Sequence, residues 1–426
     1  MASAASPAVA SRVYDIVLFG ATGFTGRLVA EYFARSAPKD VRWAIAGRNK
    51  EKLEGIKKGL VAIDASLADL AVLVADGHDE ASLAALVPQT HVVCTTVGPF
   101  AKHGRELARA CARLGTHYCD ITGEVPFIRA SIDENHETAQ RTHARIVHCC
   151  GFDSIPFDLG VHMLWDRAKK DGLTLAWAKG FAGKTKGSFS GGTVASMLAL
   201  MEDAARDPDL RRLLANPYGL DPDPKRARKE RPESPDQRSV HFDQDLGRWT
   251  APFVMSAINT RVVRRSNALL GNAYGKHFRY SESMSFPKGP KGLVGASMVM
   301  AGLGAFVAAA AFAPTRELLV KKILPKPGEG PSKEARDAGY FEVHLIAETE
   351  PDAHAGKQRF AGKVVGTSDP GYGETAKMLG ESALCLAKDG AQLEDRFGVL
   401  TPASAMGMRL VERLRTAGMT FAVDHA

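Results

Sequence analysis

Few of the patterns that announce a chemistry by themselves occur in these 426 residues. The six cysteines, Cys94, Cys111, Cys119, Cys149, Cys150 and Cys385, contain no Cys-x-x-Cys pair. Five of them fall in stretches that read as buried strand or helix, where a free thiol behaves as a small hydrophobe. That usage argues against a disulfide framework and against a metal site, and it fits a reducing, cytoplasmic setting. Aromatic residues make up 7% of the chain and are not interleaved with basic ones. No zinc-finger spacing or helix-turn-helix signal accompanies them, so nucleic acid is not an expected partner. The net charge of +7 is modest for the length; its sign suits an anionic cofactor or an anionic lipid surface. Residues 1–11 lack both the charged and the apolar region of a secretory signal and read as a loose tail.

What is present divides near residue 155. The chain exceeds what one core usually serves, roughly 250–300 residues, so two domains are expected. Short apolar runs at 15–19, 43–46, 71–75, 91–96, 117–119 and 145–149 alternate with helical spacing, for example at 27–35 and 105–114. Continuous apolar strands between helices are how a parallel sheet covered on both faces reads. The predicted fold is α/β, a doubly wound parallel sheet over residues 1–155. An inserted α+β domain, suited to substrate binding or dimerisation, follows over 156–368, and helices over 369–426 return to the first domain. Within the insert, 173–181 reads as a strand and 192–205 as a helix. Residues 221–239, rich in proline and charge, read as a solvated loop. Residues 340–349 and 358–366 alternate as an antiparallel pair, and helices are expected at 373–388 and 405–416.

One stretch stands apart. Residues 292–314 carry no charged side chain, while Lys288, Lys291, Arg316, Lys321 and Lys322 flank them. The length approaches the roughly 20 apolar residues of a membrane span, but glycine and alanine dominate. A buried or interface-lining helix, reversible insertion into a membrane or lipid surface, and a spanning helix all remain open.

The strongest motif is Gly20-Ala21-Thr22-Gly23-Phe24-Thr25-Gly26, between an apolar strand and an amphipathic helix. In that setting Gly20 permits the tight turn, Gly23 admits a pyrophosphate, and Gly26 lets helix and strand approach. The phosphates would meet free amides at the helix start, and Thr22 and Thr25 would add hydroxyl contacts or cap the helix. Where an NAD enzyme usually places an acid after its second strand, this chain has Ala46-Gly47-Arg48-Asn49. A guanidinium there suits a 2′-phosphate and favours NADP. Asp76, after the third strand, is a candidate contact for the adenine edge. Thr96, Gly98 and Pro99, after the fourth, face the same ligand.

In such a sheet the turns after strands four to six surround the nicotinamide end. They offer Thr96, Lys102, His103, Asp120, Glu124, Asp153 and Ser154, with Tyr118 nearby. His103, Tyr118 and Asp153 are the candidate proton donors, and backbone amides at Gly98 or Gly151 could hold a developing oxyanion. Asp153-Ser154 also looks like a helix N-cap. No Tyr-x-x-x-Lys pair stands where a short-chain dehydrogenase would keep its acid.

Taken together, residues 15–26, Gly98-Pro99-Phe100, residues 120–124 and 151–156, Ser190-Gly191-Gly192-Thr193, residues 259–270 and 369–372, and Thr401-Pro402-Ala403 resemble the saccharopine dehydrogenase-like oxidoreductases. The likeness is greatest to the trans-acting enoyl reductases of mycobacterial lipid synthesis. The resemblance implies a Rossmann-type, NADP-dependent reductase acting on an enoyl or carbonyl group of a hydrophobic, lipid- or polyketide-derived substrate. Expected partners are therefore an acyl-chain substrate, a membrane touched peripherally, and a second copy of the chain. The alternatives are amino-acid or imine chemistry, for which Arg261, Arg264 and Arg265 would hold carboxylates, and a non-catalytic NADP-binding lipid-surface protein.

Overall fold

The computed structural model describes residues 12–187, 191–232, 234–312, 314–316, 330–354 and 356–425. Residues 1–11, Ser190, Lys321 and Lys322 lie outside them.

The first layer is a parallel sheet. Strands β1 (Tyr14–Phe19), β2 (Trp43–Gly47), β3 (Ala71–Val74), β4 (Thr90–Thr95), β5 (His117–Asp120) and β6 (Arg145–Val147) are joined by right-handed crossover helices, and β13 (Gly398–Leu400) adds at the far edge. The order is β13-β6-β5-β4-β1-β2-β3. In register, Ile16 lies beside both Trp43 and Val92. Central strands are buried on both faces because helices cover both: α1 (Phe24–Ser36) and α2 (Lys50–Val61) early, then α3 (Glu80–Leu86), α4 (Phe100–His103), α5 (Arg105–Leu114) and α6 (Val125–Arg141). This is the Rossmann-type sheet expected from the strand pattern.

A buried connector, α7 (Ile155–Lys170), leads to the second layer. Gly160 lets it lie close to that sheet: a methyl group there would stand 2.9 Å from Leu345. The second sheet runs β14-β12-β11-β7-β10-β9-β8. Its long members are β7 (Leu175–Lys186), β10 (Arg279–Phe286), β11 (Tyr340–Thr349) and β12 (Arg359–Gly366); β8 (His241–Asp243), β9 (Arg248–Ala251) and β14 (Thr420–His425) complete it. Between strands come α8 (Gly191–Arg206), α9 (Pro208–Ala215), α10 (Pro224–Glu230), α11 (Ser256–Leu269) and α12 (Pro290–Ala311).

Two expectations need correction. The proline- and charge-rich stretch 221–239 is not simply a solvated loop. Residues 224–230 fold as α10, capped by Asp223 accepting from the Arg226 amide, while the described residues on either side stay loop and bury Asp221 and Ser234. The charged residues that suggested solvent here are the exposed face of a helix started by Asp-Pro. The stretch 369–426 does send helix Thr375–Lys388 back onto α1 and β4, where Gly380 lies against Tyr32. The same stretch also supplies β13 to the first sheet and β14 to the second. Neither strand shows in a helical reading, because one is three residues long and the other six.

Candidate functional site

The glycine turn takes the shape its sequence requires. Gly20 sits at φ +94°, a left-handed backbone that favours glycine, and its amide donates to Ala46 O at 2.8 Å. Gly23 N–H donates to Gly20 O at 3.0 Å and closes the turn. A methyl group on Gly26 would stand 2.1 Å from Gly20 O and 2.8 Å from Thr96 Oγ1, so α1 can pack against the turn only through glycine. Gly23 differs. It occupies the N-cap of α1, which has no side-chain cap, and a methyl group there would meet only Gly20 O at 3.4 Å. The open space over Gly23 and the uncapped first-turn amides form a cradle for a pyrophosphate. Thr22 is exposed beside it, and Thr25 is half-buried. The Phe24 ring packs edge-on against Tyr372 at 4.8 Å, which ties residues 369–372 to the start of α1. Thr96 Oγ1 donates to Gly20 O at 3.4 Å, and a cis peptide joins Gly98 to Pro99.

The adenosine end lies beyond β2 and β3. Arg48 is exposed directly after β2, and Asn49 caps α2 by accepting from Lys52 N at 2.9 Å. Asp76 is half-buried after β3 and accepts from His78 N at 3.0 Å. His78 Nε2 and His103 Nδ1 share a hydrogen bond of 2.7 Å. Burial, then the nearby His78, Arg48 and Lys102, hold the His103 pKa below its usual value. The cationic side chains beside Arg48 and the missing acid fit a 2′-phosphate. His103, expected as a proton donor, therefore stands beside His78 and near Arg48, where an adenosine would be held.

At the other end the turn opens into a cavity of about 380 Å³ that begins at Thr25. Its wall joins Ile121, Phe152 and Asp153, past the ends of β5 and β6, to Phe253, Met255 and Met284 from the second sheet's side. Val299 and Leu303 of α12 and Pro370, Gly371 and Thr375 complete it. Thr375 Oγ1 accepts from Phe152 N at 3.1 Å and donates to Pro370 O at 2.7 Å, which joins two of these segments. Among the described residues, Asp153 is the one carboxyl in this largely apolar wall. It keeps some surface open to the cavity, and no hydrogen bond to its carboxylate occurs among the described residues. Loss of solvent pushes its pKa up to about 7.

Several other candidates are committed elsewhere. Tyr118 is fully buried and donates to Asp120 Oδ2 at 2.8 Å; burial and that carboxylate push its pKa well above 10. Asp120 Oδ2 is also bonded to His148 Nδ1 at 2.7 Å. Glu124 caps α4 by accepting from Phe100 N and Ala101 N at 3.0 and 2.8 Å. Gly98 N–H already donates to Thr96 O at 3.1 Å, so it is not free for an oxyanion. Ser154 occupies the N-cap position of α7 but makes no capping bond. Its hydroxyl donates to Asn259 Oδ1 at 3.0 Å, and Asn259 Nδ2 donates to the buried Glu282 at 3.0 Å. This chain fixes the turn that carries Asp153.

The arginine cluster is structural. Arg265 donates to Leu220 O and Val399 O, both at 2.6 Å; Arg264 to Pro217 O, Ser234 O and Tyr280 O; and Arg261 to Asp236 at 2.6 Å and Leu214 O. All three are buried, so they are not a recognition site for substrate carboxylates. All six cysteines are buried and free. Among the described residues, no group of three or more His, Cys, Asp or Glu is placed to hold a metal. The patterns around Gly20 and Arg48 were visible in sequence. The walls from Phe253 to Met284 and from Val299 to Leu303 were not, because apolar residues from four distant stretches meet only in the fold.

Comparison with known proteins agrees with this geometry. Residues 16–147 match the Saccharopine dehydrogenase NADP binding domain. Over 96% of this chain and 97% of its own length, a Mycobacterium tuberculosis protein provisionally named a trans-acting enoyl reductase is 45% identical. A trans-acting enoyl reductase of the same organism is 39% identical, and one from Mycobacterium ulcerans 38%, both over the same shares. Among solved structures, saccharopine dehydrogenase (L-Glu forming) from Saccharomyces cerevisiae matches with a TM-score of 0.51. It covers 96% of this chain and 99% of that one at 13% identity, a likeness of fold.

Proposed function

Since the chain belongs to the trans-acting enoyl reductase family and is an NADP-dependent oxidoreductase, we propose that it reduces the carbon–carbon double bond of enoyl thioesters with long apolar chains, lipid- or polyketide-derived. The observation that carries this reading is the cavity. It starts at Thr25, beside the pyrophosphate cradle, and is lined mostly by aliphatic and aromatic side chains with three threonines and, among the described residues, a single carboxyl, Asp153. Mostly apolar walls with few placed polar groups are what an acyl chain with one reacting end requires.

NADPH, when bound, supplies the hydride that adds at the β-carbon. Gly23 and the first turn of α1 would hold its pyrophosphate, with Arg48 at the 2′-phosphate and Asp76, Thr96, Gly98 and Pro99 along its length. Asp153, whose pKa of about 7 keeps a large protonated fraction at neutral pH because its surroundings withhold solvent, gives its proton to the α-carbon and is recharged from water. The Ser154–Asn259–Glu282 chain keeps the Asp153 turn in place. We place the enzyme in the cytoplasm at the periphery of a membrane, a reading supported by the exposed apolar α12.

The test is NADPH oxidation with a matched panel of enoyl thioesters, ketones and α-keto acids. Turnover of enoyl thioesters, rising with chain length, is expected. Faster turnover of α-keto acids with an amine would favour imine chemistry instead, and no oxidation with any of them would indicate a non-catalytic protein. Carbonyl reduction would shift the preference to ketones. The imine alternative already lacks its expected carboxylate clamp, because Arg261, Arg264 and Arg265 are engaged with backbone and Asp236.

A further inference from the structure

Helix α12 has two faces of different use. Towards the body, Ala296 and Ala310 are buried, and Val299 and Leu303 form part of the cavity wall. Gly292 fits closely over Pro287, where a methyl group would clash with its carbonyl oxygen. Away from the body lie Leu293, Val294 and Met298, all exposed; Met300 and Val307 are exposed along the flank, and Phe312 just beyond the helix. Met298 is 69% exposed and Val294 58%. Little of the apolar stretch 290–310 is buried. A core helix would show the reverse. An exposed apolar face of this length marks a surface that something covers.

The distribution of charge says what covers it. Lys291, in the first turn, is the only charged residue of α12, and the exposed Lys288 precedes it; Arg316, beyond the far end, is ion-paired with Glu202 at 3.6 Å. The outward face between them carries one polar side chain, Ser297. Protein interfaces have a polar, hydrogen-bonding rim and favour tyrosine, tryptophan and arginine, which this face lacks. A bilayer asks only for apolar contact along the helix and cations at headgroup level. The inward face is already packed on β9, β10 and α8, so the helix would lie in the surface instead of crossing it.

We propose that α12 seats the enzyme on an anionic bilayer with its axis in the membrane plane, and that the acyl chain enters the cavity past Val299 and Leu303 directly from the lipid. This rests on reading the cavity as the substrate site, and it adds a source for the substrate and a control of the reaction. Bilayer contact raises turnover of membrane-dissolved substrates and leaves that of soluble ones unchanged.

The test uses the full chain with vesicles of phosphatidylglycerol and phosphatidylcholine, or of phosphatidylcholine alone, in flotation and in NADPH oxidation. Wild type should float with the anionic vesicles and turn over a vesicle-dissolved long-chain enoyl thioester at least tenfold faster than the variant V294D/M298D. That variant should stay in solution while binding NADPH and reducing crotonyl-CoA like wild type. The pair K288E/K291E, which leaves the apolar face intact, should lose the preference for anionic vesicles and serves if the first variant does not fold. Wild type that does not float with either vesicle overturns the proposal. So does a wild-type dimer that V294D/M298D converts to a monomer, since a second copy would then cover the helix. Flotation without reduction of any enoyl thioester overturns the substrate reading and the proposed chain entry, and leaves the docking surface standing.

Discussion

In the proposed reaction, single side chains would set the cofactor and the proton. Arg48 stands where an acid would repel a 2′-phosphate, and one charge-assisted contact contributes roughly 1.5–3 kcal/mol, about ten- to hundredfold in affinity. Arg48→Ala should therefore lose most of its preference for NADPH over NADH in a binding titration, while NADH affinity stays nearly constant. Asp153 governs pH behaviour. Its folded pKa of about 7 lies above the 3.8 of an exposed carboxyl, so the folded protein holds this proton where the unfolded chain has released it. The resulting stabilisation is full below about pH 4 and is lost as pH rises through about 7. Over the same upper range the acid disappears, so kcat for enoyl reduction should fall above about pH 7. Asp153→Asn should lower kcat by roughly 10²–10⁴, remove that limb of the profile, and leave NADPH binding nearly unchanged. A variant with wild-type kcat would assign the proton to another group.

The elements were unequally legible in the sequence. Strands β1, β2, β4 and β5 could be read within a residue or two because parallel strands covered on both faces are short unbroken apolar runs. The glycine turn was legible because the backbone demands glycine at Gly20 and Gly26 and the expected pyrophosphate asks for it at Gly23. Arg264 and Arg265 misled because charge on a helix suggests solvent or ligand, whereas these guanidiniums satisfy buried carbonyls far away in sequence. The burial pattern of α12 could not be read at all, since a helix apolar all round does not say which side faces the protein. The turn makes its own prediction. A methyl group on Gly26 would overlap Gly20 O, whereas Gly23 is open. Gly23→Val should abolish NADPH binding in a protein folded by circular dichroism, because the side chain fills the cradle. Gly26→Ala should instead lower the melting temperature. If Gly23→Val binds NADPH normally, the cradle is misplaced.

At the scale of the molecule, Arg265 joins stretches distant in sequence, holding Leu220 O on the insert side and Val399 O on the first sheet's last strand. Arg265→Met keeps much of the volume and leaves both carbonyls without their donors. Two lost charge-assisted bonds should cost roughly 3–5 kcal/mol, read as a lower denaturation midpoint, with NADPH binding by the remaining folded fraction unchanged. The late strands also bear on how the chain is made. When synthesis has passed Gly366, each sheet has six of its seven strands, and β6 and β12 still present open edges. Exposed edges of that kind recruit other chains. β13 and β14 cover them only when residues 398–425 have left the ribosome. Until then, both halves of the molecule share one interval of vulnerability to aggregation.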